Sequence, residues 1–344
     1  MMINQQSKQH HGIVLDVSKN EFDQGSASFG SIFVDDDDPR TKLLFYSGAL
    51  NGQMTKSGIG LATSKEGFLF HKESNEPVFR GDLGSFCHFQ ALVPIVMKVK
   101  HRFYMILSGK PSPNEPRRIG MAYADDPKGP WHIIGELIRP GQFWEGNGID
   151  NGCSVARIDE ETILVYYSSI TSPKTCDVFT FLRRYPVRRI GILKIRIRGT
   201  SRSNIEAMRF SGNPLKHLNG QKGTWNESVF CPGYIKLNDL HLLFPATSTY
   251  STGFPYKQYI GLATSKSPHF PRETLKVRKL IDGPLEKSKI MPGIQSEIAL
   301  DTASPYLDAG KHRLHLYYSV ADRANESWKI ALTTFSTEGD QLDR

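Results

Sequence analysis

One short phrase recurs five times along this chain at nearly even intervals. It reads Ile59-Gly-Leu-Ala, Ile119-Gly-Met-Ala, Ile190-Gly-Ile-Leu, Ile260-Gly-Leu-Ala and, in its last form, Ile330-Ala-Leu. Successive copies begin 60, 71, 70 and 70 residues apart. A fixed period of this kind indicates a repeat architecture, in which each copy belongs to one unit that packs against its neighbours.

Each copy stands at the same place within a longer pattern of short apolar runs. Two runs precede the phrase, as in Ser31-Ile-Phe-Val and Leu43-Leu-Phe-Tyr-Ser-Gly, and one follows it, as in Pro77-Val-Phe and Pro214-Leu-Lys. Runs of this length, rich in Ile, Val, Tyr and Phe and bounded by turn residues, are typical of strands. Four antiparallel strands in each of five units predict an all-β fold, a five-bladed β-propeller.

The last unit lacks its fourth run, whereas the N-terminus has a spare one, Gly12-Ile-Val-Leu-Asp. We therefore expect the N-terminal strand to complete the fifth blade and close the ring. The blades are expected at 26–80, 90–140, 150–216, 230–282 and 300–336 plus 12–17. Because these ranges occupy nearly all of the chain, the sequence predicts a single domain over residues 1–344.

Composition limits the setting in which the chain works. The N-terminus has no apolar stretch that would serve as a secretion signal, and no run of eighteen apolar residues occurs anywhere, so we expect a cytoplasmic protein without a membrane span. Four cysteines (Cys87, Cys153, Cys176 and Cys231) are expected to be free thiols in a reducing compartment. Neither a metal nor another cofactor is expected.

The net charge of +8 is partly local, because basic residues cluster between Arg183 and Arg202. The preferred interpretation is a solvated strand edge and loop, where Lys and Arg discourage edge pairing. An anionic substrate or partner is the next alternative, and a nucleic-acid partner is unlikely.

The predicted fold also indicates where a site should lie. In a propeller, the loops that enter each inner strand meet the loops between second and third strands at one face, and a pocket forms there. Four of the entering loops carry an aromatic residue followed by polar or acidic residues: Phe22-Asp-Gln-Gly, Phe86-Cys-His-Phe-Gln, Trp144-Glu-Gly-Asn-Gly-Ile-Asp-Asn and Trp225-Asn-Glu-Ser. The fifth reads Gln295-Ser-Glu-Ile-Ala-Leu-Asp. We expect their acids, including Asp23 and Asp301, to gather near one mouth of the axis.

A ring of carboxylates with aromatic neighbours suits sugar chemistry. Cleavage of a glycosidic bond needs one carboxylic acid and a second carboxylate that acts as base or nucleophile, and crowding of like charges raises one pKa. We predict Glu227 as general acid and Asp150 as base or nucleophile, with Glu145 assisting. The predicted substrate-binding residues are His88, Gln90, Trp144, Asn151, Trp225, Glu297, Arg118 and Tyr256. The alternatives are that single acids hold backbone turns and that the two tryptophans are ordinary core.

The pattern of Tyr-Ser-Gly strand, Ile-Gly-Leu-Ala-Thr-Ser-Lys and Pro-Val-Phe strand resembles the five-bladed β-propeller glycoside hydrolases of families 32, 43, 62, 68 and 130. The stretches from Ile59 to Phe79 and from Ile260 to Phe270 match best. The resemblance implies a glycosidase with carboxylate catalysis. It places the carboxylates of families 32 and 43 at Phe29-Gly-Ser, near Leu92-Val-Pro and at Phe230, where this chain has none.

Three functions therefore stay open. The first is an enzyme that hydrolyses a small oligosaccharide or glycoconjugate, with phosphorolysis as a variant in which Arg or Lys holds phosphate. The second is a carbohydrate-binding propeller without catalysis, which the unmatched carboxylate positions favour. The third is a scaffold that binds nucleic acid or an acidic partner through the basic stretch.

Overall fold

The computed structural model describes residues 3–19, 21–51, 54–169, 187–249, 257–282, 298–322 and 327–337. Within these ranges the chain forms twenty β-strands and short 3₁₀ turns, and no α-helix. The same part of the chain holds no helix with the length and apolar character needed to cross a membrane.

The strands form four-stranded antiparallel units, in chain order. The first unit contains β2 (Ser26–Asp35), β3 (Asp38–Ala49), β4 (Gly58–Ser64) and β5 (His71–Lys72). The second contains β6 (Gln90–Val99), β7 (Arg102–Lys110), β8 (Arg118–Ala124) and β9 (His132–Ile138). The third contains β10 (Ile149–Arg157), β11 (Thr162–Ser169), β12 (Ile190–Ile197) and β13 (Ile205–Arg209). The fourth contains β14 (Ser228–Leu237), β15 (Leu240–Thr249), β16 (Lys257–Ser265) and β17 (Lys276–Asp282).

The fifth unit is assembled from both ends of the chain. It contains β18 (Ile298–Asp308), β19 (Arg313–Asp322), β20 (Ser327–Ser336) and the N-terminal strand β1 (Asn4–Leu15), which pairs antiparallel with β20. The N-terminal strand thus supplies the missing fourth strand, as the sequence predicted, and it begins earlier than the apolar run at Gly12. The fifth and first units also join, through one parallel pair between Ser26 and Trp328.

The first strands of the units contact one another in cyclic order: β2 with β6, β6 with β10, β10 with β14, β14 with β18, and β18 with β2. The hydrophobic core follows the same order, because each of five clusters fills the seam between two consecutive units. Leu43 and Phe45 of the first unit pack with Met105 of the second, for example, and Tyr317 of the fifth packs with Leu44 of the first. Each unit therefore buries its apolar faces only by packing between two neighbours.

The outer strands differ from the sequence prediction in two units. The fourth strand of the third unit is β13, which ends at Arg209, whereas Pro214-Leu-Lys was expected to form it. In the first unit the strand is the short β5, and Pro77-Val-Phe contributes only a bridge between Phe79 and Ile59. The chain leaves the sheet edge after each short strand and returns to pair once with the isoleucine of the repeated phrase, as Leu215 does with Ile190 at 2.8 Å.

Candidate active site

Each inner strand carries a β-bulge at the same depth. The bulges interrupt the pairing of β2, β6, β10, β14 and β18 with their second strands. Four residues at these bulges adopt a positive φ of 41–52° although they are not glycine: Phe29, Val93, Cys231 and Thr302. Non-glycine residues adopt this conformation only where their surroundings hold them in it, and bulges of this kind re-aim side chains.

A serine near the end of the second strand, which follows Tyr in three units and Leu107 in the second unit, holds the bulge of the next unit. Ser319 accepts a hydrogen bond from the backbone N–H of Phe29 at 2.7 Å, and Ser47 accepts one from Val93 at 2.9 Å. Ser108 does the same for Asn151 at 3.0 Å, and Ser168 for Cys231 at 3.2 Å. These bonds run from one unit to the next, so the repeated serine fixes both the strained backbone and the seam between units.

One residue of each inner strand lies directly opposite the position of that serine within its own unit. We call these five residues the bulge positions, and they are Ser28, Leu92, Asp150, Phe230 and Asp301. All five are buried. Two of them are carboxylic acids, in the third and the fifth units. The bulge positions of the first, second and fourth units hold Ser28, Leu92 and Phe230. These lie at or next to the places where the resemblance to families 32 and 43 puts carboxylates, and Ser28 is the neighbour of Phe29.

Asp150 is held by two guanidinium groups. Arg117 Nη1 lies 2.8 and 2.9 Å from its two carboxylate oxygens, and Arg188 Nη2 lies 3.5 Å from Oδ2. The Asp150 side chain is 5% exposed, which makes an ion pair here much stronger than on the surface. Two guanidinium groups beside one buried carboxyl hold it in place by charge-assisted hydrogen bonds.

Asp301 has the opposite environment. Burial raises the pKa of its carboxyl above the usual value; Arg188 and hydrogen bonds from Thr302 lower this pKa, and the charge of Asp150 raises it further. The net result is a raised pKa. The two acids are thus close enough to affect one another, and their surroundings differ: Asp150 lies against two guanidinium groups, whereas burial dominates at Asp301. Two carboxyl groups in unlike environments are the pattern of an acid and base pair.

Arg188 is fixed between the acids. Its Nε donates to the carbonyl of Ser169 at 2.8 Å, its Nη2 lies 3.8 Å from Cys231 Sγ, and its guanidinium stands 4.2 Å from the centre of the Phe230 ring. A guanidinium held from several sides keeps its charge in one place. The aromatic residue at the fourth bulge position therefore stacks on the cation that pairs with Asp150.

The loop aromatics pack against the glycines of the repeated phrase. A Cβ on Gly120 would lie 2.2 Å from the Phe86 ring, one on Gly191 would lie 2.7 Å from Trp144, and one on Gly261 would lie 3.0 Å from Trp225. The phrase therefore requires glycine because a ring from the entering loop covers that position. Trp144 is buried in this contact, as the core alternative for the tryptophans expects.

Glu145 belongs to a structural contact that the first unit repeats. Its carboxylate receives hydrogen bonds from Tyr167 at 2.7 Å and from Arg209 on the outer strand at 2.7 Å. In the first unit, Asp23 accepts a hydrogen bond from the Tyr46 hydroxyl at 2.9 Å. It also forms an ion pair at 2.6 Å with Lys72, which lies on the outer strand as Arg209 does.

The charge of Glu145 is fully satisfied inside the protein. Burial would raise its pKa, but Arg209, the backbone of Gln142 and Gly141, and Tyr167 outweigh burial and hold the pKa below its usual value. A buried carboxylate with these partners connects two strands and a loop of its own unit.

The remaining predicted residues lie in different places. Gln90 is buried beside the mouth and accepts a hydrogen bond from Arg117 at 3.2 Å. Asn151 is buried and hydrogen-bonds Ser108 and the carbonyl of Val93. His88 is exposed in the loop before β6, and Trp225 is half-buried. Glu227 is buried in the loop before β14 and its Oε2 accepts the backbone N–H of Gly223 at 3.1 Å.

Arg118 does not face Asp150. It pairs with Glu115 at 2.5 Å and Glu136 at 2.8 Å, toward the outer strand, and its neighbour Arg117 makes the contact with Asp150 instead. Tyr256 and Glu297 lie outside the described residues, as do Cys176, Arg183 and Arg184.

Asp301 was expected near the mouth but without a catalytic role, and Arg188 was counted only within the basic stretch. Arg117 was considered as a loop cation that could bind substrate, but its contact with Asp150 was not foreseen. A signal for Asp301 exists in the sequence, because Asp150 and Ser168 are 18 residues apart and so are Asp301 and Ser319. No comparable signal marks the two arginines, which reach the site from loops of other strands.

The described residues contain no group of three or more His, Cys, Asp or Glu side chains arranged to hold a metal ion. The three cysteines in these ranges are buried free thiols. Burial raises the pKa of the Cys87 thiol to about 12, and it also raises those of Cys153 and Cys231. Protonated thiols are poor metal ligands and poor nucleophiles.

Solved structures similar to this fold are glycoside hydrolases. A thermostable family-43 glycoside hydrolase has a TM-score of 0.58 at 13% identity, over 89% of this chain and 88% of that chain. The endo-arabinase from Bacteroides thetaiotaomicron VPI-5482 has a TM-score of 0.59 at 14% identity, over 94% and 96%. A family 117 glycoside hydrolase from the marine bacterium Zobellia galactanivorans has a TM-score of 0.61 at 13% identity, over 98% and 92%.

These similarities span nearly the whole length of both chains in each comparison. Because the sequence identity is so low, they show a shared fold. They confirm the resemblance to propeller glycoside hydrolases that the repeated sequence indicated. Neither a protein-family model nor a curated protein matches the sequence.

Proposed function

We propose that the five units form a closed five-bladed propeller in one domain, and that its axial pocket hydrolyses a glycosidic bond in a small oligosaccharide or glycoconjugate. The cyclic contacts of the inner strands support the closed ring. The observation that carries the proposed activity is the placement of Asp150 and Asp301 at equivalent bulge positions, where Asp150 pairs with two guanidinium groups and burial raises the pKa of Asp301.

In the proposed mechanism Asp301 is the general acid. Its raised pKa favours the protonated carboxyl, which delivers that proton to the leaving-group oxygen. Asp150 acts as the base that activates water or as the nucleophile, held in place by Arg117 and Arg188. Burial favours the protonated form of Asp301 and outweighs the opposing charge of Arg188.

Glu227 is the competing general acid, since it is buried in the loop that enters the fourth unit. Glu145 is left out of the catalytic set because its carboxylate is saturated by its own unit. Gln90 and His88 are kept as binding residues at the second unit. Trp144 is left out because its ring covers Gly191, and Asn151 because its side chain holds the seam between units.

The test is a panel of aryl glycosides and oligosaccharides assayed with wild type, Asp150→Asn, Asp301→Asn and Glu227→Gln. We expect at least a ~100-fold loss of kcat for the two Asp variants, since general acid–base groups typically contribute that much, and a small effect for Glu227→Gln. Glu160→Gln is the matched control, because Glu160 is exposed in the turn between β10 and β11. Full activity in both Asp variants refutes the assignment, and a loss confined to Glu227→Gln moves the acid to that residue.

A carbohydrate-binding propeller without catalysis is the second candidate. Phe230 and Leu92 favour it, because they stand at bulge positions where the resembled families have carboxylates. Calorimetric binding of a sugar that the protein never cleaves selects this candidate.

The basic stretch gives little support to a nucleic-acid scaffold. In its described part, Arg188 pairs with Asp150 and Arg198 with Glu206 at 2.6 Å, and Arg202 donates to the backbone carbonyls of Glu136 and Ile205. These cations hold strands together, so fewer are available for phosphates. Binding of RNA or DNA that weakens steeply with salt is the result that would revive this function.

A further inference from the structure

A cation that pairs with no carboxylate among the described residues lies close to Arg117, which contacts the proposed catalytic Asp150. Lys110 ends β7, directly opposite Gln90 on the inner strand β6, and Arg117 bridges from Gln90 to Asp150. No carboxylate in the described part of the chain lies within ion-pair distance of the Lys110 ammonium, whose nearest aromatic contact is the Phe89 ring at 6.0 Å. The second unit therefore brings a free positive charge to the mouth of the site.

Arg117 adds a second unused donor. Its Nη groups are taken by Asp150 and Gln90, but its Nε is buried and has no hydrogen-bond partner among the residues that the structure describes. A buried donor without a partner is destabilising unless a ligand or water satisfies it. Its backbone is fixed as well, because the carbonyl of Arg117 accepts the N–H of Ile149 at 3.1 Å.

Among the described residues, three cations lie in this region with the two carboxylates. Arg117 and Arg188 contact Asp150, and Lys110 lies opposite Gln90 on the neighbouring strand. Elsewhere the loop acids are matched, since Asp23 pairs with Lys72 and Glu145 with Arg209. Burial lowers the pKa of Lys110, and the positive charge of Arg117 lowers it further, so an anion bound here would stabilise the charged form of Lys110.

We propose that Lys110 and Arg117 form a subsite for the carboxylate of an acidic sugar. The inference rests on the proposed function, since it names the substrate class of the same site. Lys110 offers a mobile ammonium and Arg117 a fixed N–H, and a charge-assisted contact to each holds the acidic ring next to Asp150. The same chemistry suits inorganic phosphate, so the experiment must separate the two sources.

The experiment uses calorimetry with oligosaccharides that contain galacturonic or glucuronic acid, and with the same oligosaccharides as neutral methyl esters. We expect the acids to bind wild type at least about tenfold more tightly than the esters. Lys110→Gln removes that preference. Lys194→Gln retains it, because Lys194 is an exposed lysine on β12 and the substitution makes the same change of charge.

Equal binding of acid and ester, no binding of any acid, or a preference that survives Lys110→Gln overturns the inference. Inorganic phosphate alone is titrated in parallel. If phosphate binds in a Lys110-dependent way while acid and ester bind alike, the subsite is assigned to phosphate and the sugar carboxylate is overturned.

Failure of the subsite is distinct from failure of the activity. Acid-selective binding without turnover refutes the hydrolase alone, and cleavage without acid preference refutes the subsite alone.

Discussion

Asp150 and Asp301 occupy the same position in two different repeats. Asp150 lies directly opposite Ser168, and Asp301 lies directly opposite Ser319, each just before the bulge of its strand. One unit separates them along the ring order, and Arg188 acts on both. An internal repeat can therefore supply a pair of acids at one depth around an axis without bringing them together in the sequence.

The glycines of the repeated phrase should respond to substitution according to the ring that covers them. Gly120→Ala and Gly191→Ala place a Cβ 2.2 and 2.7 Å from Phe86 and Trp144, so we expect a loss of about 1–3 kcal/mol in unfolding free energy. Gly141→Ala is the control, because its nearest atoms would be 3.7 Å away. Urea unfolding measures all three, and equal stability in the three variants would contradict the packing explanation for the phrase.

Glu145 should matter for stability and not for chemistry. Glu145→Gln leaves Arg209 without its buried partner, and removal of one member of a buried ion pair costs about 3–5 kcal/mol. Arg209 is partly exposed, so we expect a value near the lower end. Thermal unfolding and kcat are measured together, with Glu160→Gln as control. A large fall in kcat at unchanged stability would return Glu145 to the catalytic set.

His315 should make the protein sensitive to acid. Burial lowers its pKa to about 4, with smaller contributions from Lys42, Arg313 and His11, partly opposed by Asp308. The unfolded chain takes up a proton near pH 6.5 and the folded protein does not, so stability is lost as pH falls from 6.5 toward 4. The loss reaches at most ~3 kcal/mol.

The measurement is urea unfolding of wild type and His315→Asn at several pH values across that window. We expect the difference in unfolding free energy between them to change in favour of the variant as pH falls. A difference that is independent of pH would show that His315 contributes nothing to acid sensitivity.

The N-terminal strand should contribute substantially to stability. Deletion of residues 1–17 exposes the edge of β20 and removes the buried side chains of Ile3, Val14 and Leu15. Burial of a large aliphatic side chain stabilises by about 1.5–3 kcal/mol, so the three together account for a large part of a typical domain's stability. An unchanged melting temperature after the deletion would contradict the role of β1 in the fifth unit.

The sequence predicted the repeat, the antiparallel strands and the use of the N-terminal strand, because period and apolar runs are local features. It placed the tryptophans and Glu145 at the site because an acid beside an aromatic resembles a sugar platform. The same pattern also suits a ring packed on glycine and an acid bound to tyrosine, and only the partners Gly191 and Tyr167 distinguish the two cases. The approach of Arg117 and Arg188 to Asp150 depends on tertiary structure alone.

The most direct test of the central claim compares leaving groups. A general acid is needed when the leaving oxygen is a poor leaving group and is dispensable when that oxygen is already acidic, whereas a base or nucleophile is needed for both. The measurement is kcat/KM of wild type, Asp301→Asn and Asp150→Asn on alkyl and dinitrophenyl glycosides of the sugar that the substrate panel identifies. We predict that Asp301→Asn loses activity mainly on the alkyl glycoside and Asp150→Asn loses it on both. Equal losses on the two substrates for Asp301→Asn, or none, would contradict the assignment of Asp150 and Asp301 as an acid and base pair.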